Sequence, residues 1–396
     1  MWTLRKIAGF LSLPVLPVLF GLLGALGCAS YSDGADTWDM RPSPPDLAED
    51  VLPPVVFQSQ SCPSGKGGSA VAVGHLNSDT RDDVVVSNGL DNTLSVYLNQ
   101  GSEGCPPMTS YPTGRSPSAL AIGDLSGDGF DEVVAATPGS SSVSVHLNNR
   151  DGTLMAAAPQ PVASASALVL GDVDKRSGLD LAVLSSSDDA VTLFLNQGSG
   201  ALSMSPTKYS GGRLLFSVGL GSLIPGLVNL ILVSAGDDGL DLLTADAAGD
   251  FKSPLRLRPP ELLTPVSLAL SDLDQDGRPD LVVPSHNNDR VVILRNRGGL
   301  SFSDSSVAVG HHPLAVAVAD LTGDGLPDLA VVNGDDDSLQ IVVNLGQGQF
   351  ATGARHRYPT AAQPTAIAAV DLNADGRPDL VMVHKSGDKL TLLTLR

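Results

Sequence analysis

The sequence predicts an all-β fold: a seven-bladed β-propeller with four strands in each blade. Three observations carry that reading. Hydrophobic residues make up 42% of the 396 residues but aromatics only 4%, while Gly and Pro number 42 and 28. This mix favours short strands joined by tight turns over long helices. An acidic motif recurs, starting at His75, Asp124, Asp172, Ser222, Asp272, Asp320 and Asp371, at spacings of 49, 48, 50, 50, 48 and 51 residues. Finally, each repeat divides into four strand-like segments, the signature of a propeller blade.

The elements of a repeat follow in a fixed order. An alternating strand such as 314–319 opens it, followed by the acidic loop. An unbroken apolar run comes next, such as 281–283 or 329–332, which marks a strand buried on both faces. After a polar turn comes a third strand, such as 291–294. An Asn and a Gly-rich turn (344–348) then lead to Phe350 and a fourth strand. The small residues of the first strands suit the crowded wall of a central channel. A parallel β-solenoid is the alternative fold, but its coils are much shorter than this period.

The last repeat stops after its third strand, at Arg396. Phe57 stands before His75 as Phe302 stands before Asp320, so residues 55–62 supply the missing fourth strand. Such an N-terminal strand closes the ring and removes two exposed edges.

The N-terminal residues read as an address. Arg5 and Lys6 precede an uncharged stretch, Ile7 to Leu26, and small residues lead to Cys28. This is the layout of a secretory signal. Pro14, Pro17 and the glycines weaken the alternative of a retained transmembrane helix. The Leu26-Gly27-Cys28 ending resembles a bacterial lipoprotein signal, which implies lipidation of Cys28. It departs from that pattern in having Ala25 where Leu is usual three places before the cysteine; plain secretion is the alternative. The organisation is therefore a signal over 1–28, an acidic Pro-rich tether over 29–54, and the propeller over 55–396.

The acidic loops carry the candidate metal chemistry. Calcium takes six to eight oxygens, mostly from carboxylates and carbonyls. Loop positions 1, 3, 5 and 9 offer side-chain oxygens, position 7 a backbone carbonyl, and Gly at position 6 the tight bend. The fifth repeat supplies Asp272, Asp274, Asp276, Arg278 through its carbonyl, and Asp280. The sixth supplies Asp320, Thr322, Asp324, Leu326 and Asp328, and the seventh Asp371, Asn373, Asp375, Arg377 and Asp379. A weaker set is Asp124, Ser126, Asp128 and Glu132, where the longer Glu replaces the final Asp. These are not EF-hands, since position 12 falls on Val283, Val331 or Met382 inside a strand. A metal-free Asx turn explains an isolated Asp, but four carboxylates in nine residues repel one another without a cation. Three or four structural calcium ions are expected. None is expected in repeat one, which has His75; in repeat three, where Arg176 sits at position 5; or in repeat four, Ser222 to Gly226, which lacks carboxylates.

With its motif and register, the chain resembles the FG-GAP and VCBS repeat family, which includes the propeller of integrin α-subunits. The resemblance covers 69–396 directly and implies an extracellular propeller with calcium in some blades.

Loops joining strands two to three and four to one should gather on the face opposite the acidic loops. They include Asp188, Asp237, Asp238, His286 to Asp289, His311, His312 and Asp335 to Asp337. This polar, aromatic-poor surface suits a protein partner with basic groups. The formal net charge of −19 argues against nucleic acid and anionic membranes as ligands, leaving the N-terminal lipid as the membrane contact. A monomer is expected. Glycan binding is an alternative, weakened because Trp2 and Trp38 lie outside the propeller and sugar sites favour aromatic platforms. A polysaccharide lyase or hydrolase is a further alternative, but no nucleophile–base–orienter set is placed by the sequence. The reading is of a non-enzymatic binding module. Strand register puts Cys62 and Cys105 toward opposite faces of neighbouring blades and argues against a disulfide, with export its only support.

Overall fold

The computed structural model describes residues 38–40 and 55–396, apart from residues 80, 102–103, 177, 199, 201, 204–205, 247–248 and 352–355. Cys28 and most of the tether lie outside the described residues. Among the described residues, no helix is long and apolar enough to cross a membrane.

Seven antiparallel sheets form the ring. Blade five shows the pattern, with Ala269–Ser271, Asp280–Ser285, Arg290–Asn296 and Phe302–Ala308 paired in sequence order. In the blades that carry the acidic motif, the second strand is buried along its whole length, as in Asp328–Asn333. That explains its unbroken apolar sequence. Blade-to-blade packing forms the core: each of seven apolar clusters joins residues of two neighbouring blades, such as Val282 and Ile293 of blade five with Leu329 and Val331 of blade six. The first strands of blades one, three, four, six and seven each carry a register shift near their start, as between Pro313 and Ala315. Such bulges bend the strand and increase its twist.

Closure follows the sequence reading. Phe57–Pro63 pairs antiparallel with Lys389–Leu395, from Phe57 opposite Leu395 to Pro63 opposite Lys389. Trp38–Met40 then adds a short fifth strand outside it. Phe57 packs edge-on against Tyr358, and the Tyr358 hydroxyl donates to the Val55 carbonyl.

The disulfide expectation was wrong. Cys62 and Cys105 are bonded, with their Cα atoms 5.4 Å apart. Two features defeat the register argument. Each strand is rotated roughly 20–25° from its neighbour, so an outermost strand lies far across the ring axis, and its ends no longer mark opposite faces. Cys105 also precedes Met108–Pro112, in the connection after Thr93–Tyr97, and is not held to any strand register.

Candidate functional site

The acidic loops follow the first strands. Asp272 accepts hydrogen bonds from the amides of Asp276 (3.0 Å) and Gly277 (2.7 Å). The same wrapping recurs at Asp124, Asp320 and Asp371. Gly277, Gly325, Gly376 and Gly129 all have φ between 81° and 91°. Nothing lies within 4 Å of where a Cβ would stand on them, so glycine is required by conformation and not by crowding.

In blade five, oxygens of Asp272, Asp274 and Asp276 lie within 4.8 Å of one another. Asp274 Oδ1 is buried and, among the described residues, has no hydrogen-bond partner. Hard oxygen donors at that spacing, one of them unsatisfied, fit a calcium ion. Arg278 pairs with Asp276, and Arg297 lies 3.7 Å from Asp274, offsetting part of the charge. In blade six Thr322 Oγ1 is likewise buried and unpartnered, while Asp324 accepts the Leu326 amide. Blade seven is more self-satisfied: Asn373 donates to Asp375, which also pairs with Arg377. In blade two Arg150 holds Asp128 at 2.8 Å, and Glu132 turns inward to the amides of Leu125 and Ser126.

Position 9 has a second role that the motif does not announce. Asp280 is fully buried; one oxygen accepts the Leu273 amide (3.1 Å) and the other the Asn296 amide (2.8 Å). Asp328 and Asp379 repeat this, as do Asp83 and Asp180 in blades read as metal-free. The residue therefore ties the loop to the end of the third strand with or without a cation. Burial pushes Asp83, Asp280 and Asp328 up to about 6, and raises Glu132, Asp180 and Asp379 as well.

Blade three holds a triad that the motif reading set aside. Oxygens of Asp172, Asp174 and Asp180 also converge within 4.8 Å. Arg176 reaches Asp174 at 3.6 Å with its side chain 69% exposed, so the guanidinium leans outward and does not fill the loop.

The recurring Asn after the third strand is a blade-to-blade staple. Asn344 Nδ2 donates to the Pro327 carbonyl of its own blade (3.0 Å) and to the Leu273 carbonyl of blade five (2.9 Å). Asn99, Asn148, Asn196 and Asn296 do the same. Its recurrence at the repeat period was the signal available in the sequence.

On the opposite face, loops from adjacent blades interlock. Asp237, Asp336 and Asp337 each accept an amide from the neighbouring four-to-one loop. His286 stacks on His312 at 4.4 Å; His312 meets Asp335, and His311 meets Asp289 at 2.8 Å. The rings of His286 and His312 lie 25° from parallel. A groove of about 650 Å³ lies near blades four and five, lined by Arg213, Asp237, Arg256, Arg258 and Leu263. These arginines make the face less uniformly acidic than its sequence suggested.

The FG-GAP-like repeat family model matches residues 75–135, 272–331 and 320–382, which span the acidic loops of blades one, two, five, six and seven. The chain carries FG-GAP-like repeats. Its seven four-stranded blades are consistent with a propeller built from such repeats, a fold that supports a binding or scaffold module. Solved structures share the fold. BBS1N, crystallised in complex with ARL6DN and soaked with mercury, aligns at TM-score 0.60 and 14% identity over 86% of this chain and 97% of that one. The same complex soaked with lead gives 0.57 and 16% over 85% and 95%. An Agrocybe aegerita lectin, described for recognition of non-reducing terminal N-acetylglucosamine, gives 0.55 and 16% over 82% and 87%. A search of curated proteins finds no match.

Proposed function

We propose that this FG-GAP-type propeller is a calcium-stabilised, non-enzymatic binding module, exported and held at the cell envelope through Cys28. It would present the face opposite its acidic loops to a protein partner. The observation that carries the reading is the blade-five loop, where converging carboxylates include the unpartnered Asp274 Oδ1. Calcium there would neutralise the carboxylates and crosslink the loop. The rest of the site is the chain's own: Asp272 wraps the turn, and Asp280 ties it to the third strand.

Support for a partner on the opposite face comes from its build. Its loops are braced by amide-to-carboxylate bonds, so little ordering is left to oppose binding. Leu90, Leu214 and Leu263 stand exposed among them. BBS1N, a solved relative in fold, was crystallised in a protein complex. Crosslinking and capture from the native cell envelope tests the reading. A protein captured by the wild type, and lost when Leu214 and Leu263 become Lys, is the expected result. Capture unaffected by those changes would remove the partner from this face.

A further inference from the structure

Blade two has the one described outer strand that is split in two. Leu154–Ala156 and Gln160–Pro161 both pair with Ser142–Asn148. Ala156 stands opposite His146 and Gln160 opposite Val143, so the outer strand carries one extra residue there. Pro159 and Pro161 offer no N–H to the ladder, which suits a bulged edge. Beside the bulge lies a pocket of about 470 Å³.

Its lining differs from the rest of the surface. Thr113, Ser140, Ser144 and His146 provide polar groups, and Pro159 and Pro161 apolar walls. Among the described residues no Asp, Glu, Lys or Arg lines it, in a chain with 43 acidic and 24 basic residues. A charged ligand would find no counter-ion there.

The polar groups are built in. Ser140 Oγ accepts the Arg115 amide at 2.7 Å, and Ser144 Oγ accepts the Gly114 amide at 3.1 Å. With a lone pair of each oxygen held by a fixed amide, each hydroxyl keeps its own proton to donate. The described hydrogen bonds give neither proton an acceptor. His146 is 2% exposed, and its Nε2 lies 3.3 Å from Thr113 Oγ1. Burial holds its pKa down to about 4, so the ring is neutral at physiological pH and offers one donor and one acceptor nitrogen.

We propose that this pocket binds a single neutral, polyhydroxylated unit, an uncharged sugar residue, through Ser140, Ser144 and the Thr113–His146 pair. Hydroxyl groups answer these donors and acceptors without a net charge, and the proline faces cover the C–H side of a sugar ring. The site adds to the partner reading and does not depend on it.

The test follows the His146 ring signal of the full chain, ¹³C-labelled at histidine, in NMR titrations. The probes are the methyl glycosides of glucose, galactose, mannose and N-acetylglucosamine, with methyl glucuronide as the charged control. At least one neutral glycoside should shift the His146 signal saturably, and the glucuronide should not. Ser144→Ala and the more exposed Ser140→Ala should each weaken binding about five-fold, the effect of one lost hydrogen bond, while circular dichroism shows the propeller fold retained. Silence of His146 toward all four neutral glycosides would overturn the proposal. So would equal binding of the glucuronide, or affinity untouched by both substitutions. Purified glycosides and a single ring signal keep this result separate from partner capture.

Discussion

Replacing Asn344 by Ala isolates the staple between blades five and six. Asn344 is fully buried, and its side chain makes three hydrogen bonds: to the Leu273 and Pro327 carbonyls, and from the Gly346 amide at 3.0 Å. Ala leaves two carbonyls without their donor beside a small void. A buried polar group stripped of its partner costs about 1–3 kcal/mol. Gly346 lies nearer the surface, where water replaces its lost bond. For the two carbonyls the sum is about 2–6 kcal/mol, a large share of a stability of roughly 5–15 kcal/mol. Asn149 is the control: it is exposed and bonds only Thr153 among the described residues, so Asn149→Ala should cost less than about 0.5 kcal/mol. Urea unfolding followed by circular dichroism reads both variants, with the midpoint compared at constant slope. If Asn344→Ala is no less stable than Asn149→Ala, the staple carries no blade-to-blade energy and the account of ring cohesion fails.

Other outcomes follow from the same structure. Removing residues 1–50 should leave a folded, soluble protein, whereas removal to residue 66 takes away Phe57–Pro63, exposes the edge of Lys389–Leu395 and should cause aggregation; like behaviour of the two in light scattering would refute the closure. Cys105→Ser should destabilise the ring by up to about 4 kcal/mol on the chain-entropy model for a 43-residue separation, and peptide mapping without reductant should recover the Cys62–Cys105 link. In calcium-free buffer Asp83 should titrate near 6, because burial raises it from 3.8. The folded state then holds a proton at Asp83 that the unfolded chain has released, so this group's stabilising contribution is full below 3.8 and lost as pH rises through 6. A carboxyl ¹³C midpoint near 3.8 would contradict the burial.

Period and closure were legible because both are written locally. The acidic loop is a contiguous motif, its glycine is demanded by one backbone angle, and the last strand's absence shows as a missing segment at Arg396 matched by a spare one at Phe57. Part of what escaped lies between blades. The Cys62–Cys105 bond depends on twist accumulated across a sheet and on a connection free of strand register. The triad of Asp172, Asp174 and Asp180 escaped because Arg176 was given the loop interior, while solvation holds its guanidinium outside. Position 9 was read as a ligand alone, although its burial under the third-strand amides is common to blades with and without the full motif. The Asn staples were visible as a recurrence, but their meaning requires knowing that a carbonyl of the preceding blade lies within reach.

Thermal unfolding in calcium against chelator tests the central claim most directly. Calcium at a hundred times its dissociation constant should add about 2.7 kcal/mol for each independent site, and so raise the melting temperature. Asp274→Ala should lose part of that rise, while Asp304→Ala, an exposed acid on the outer strand of blade five, should keep all of it. A wild-type melting temperature that is the same in calcium and in chelator would contradict the calcium-stabilised propeller.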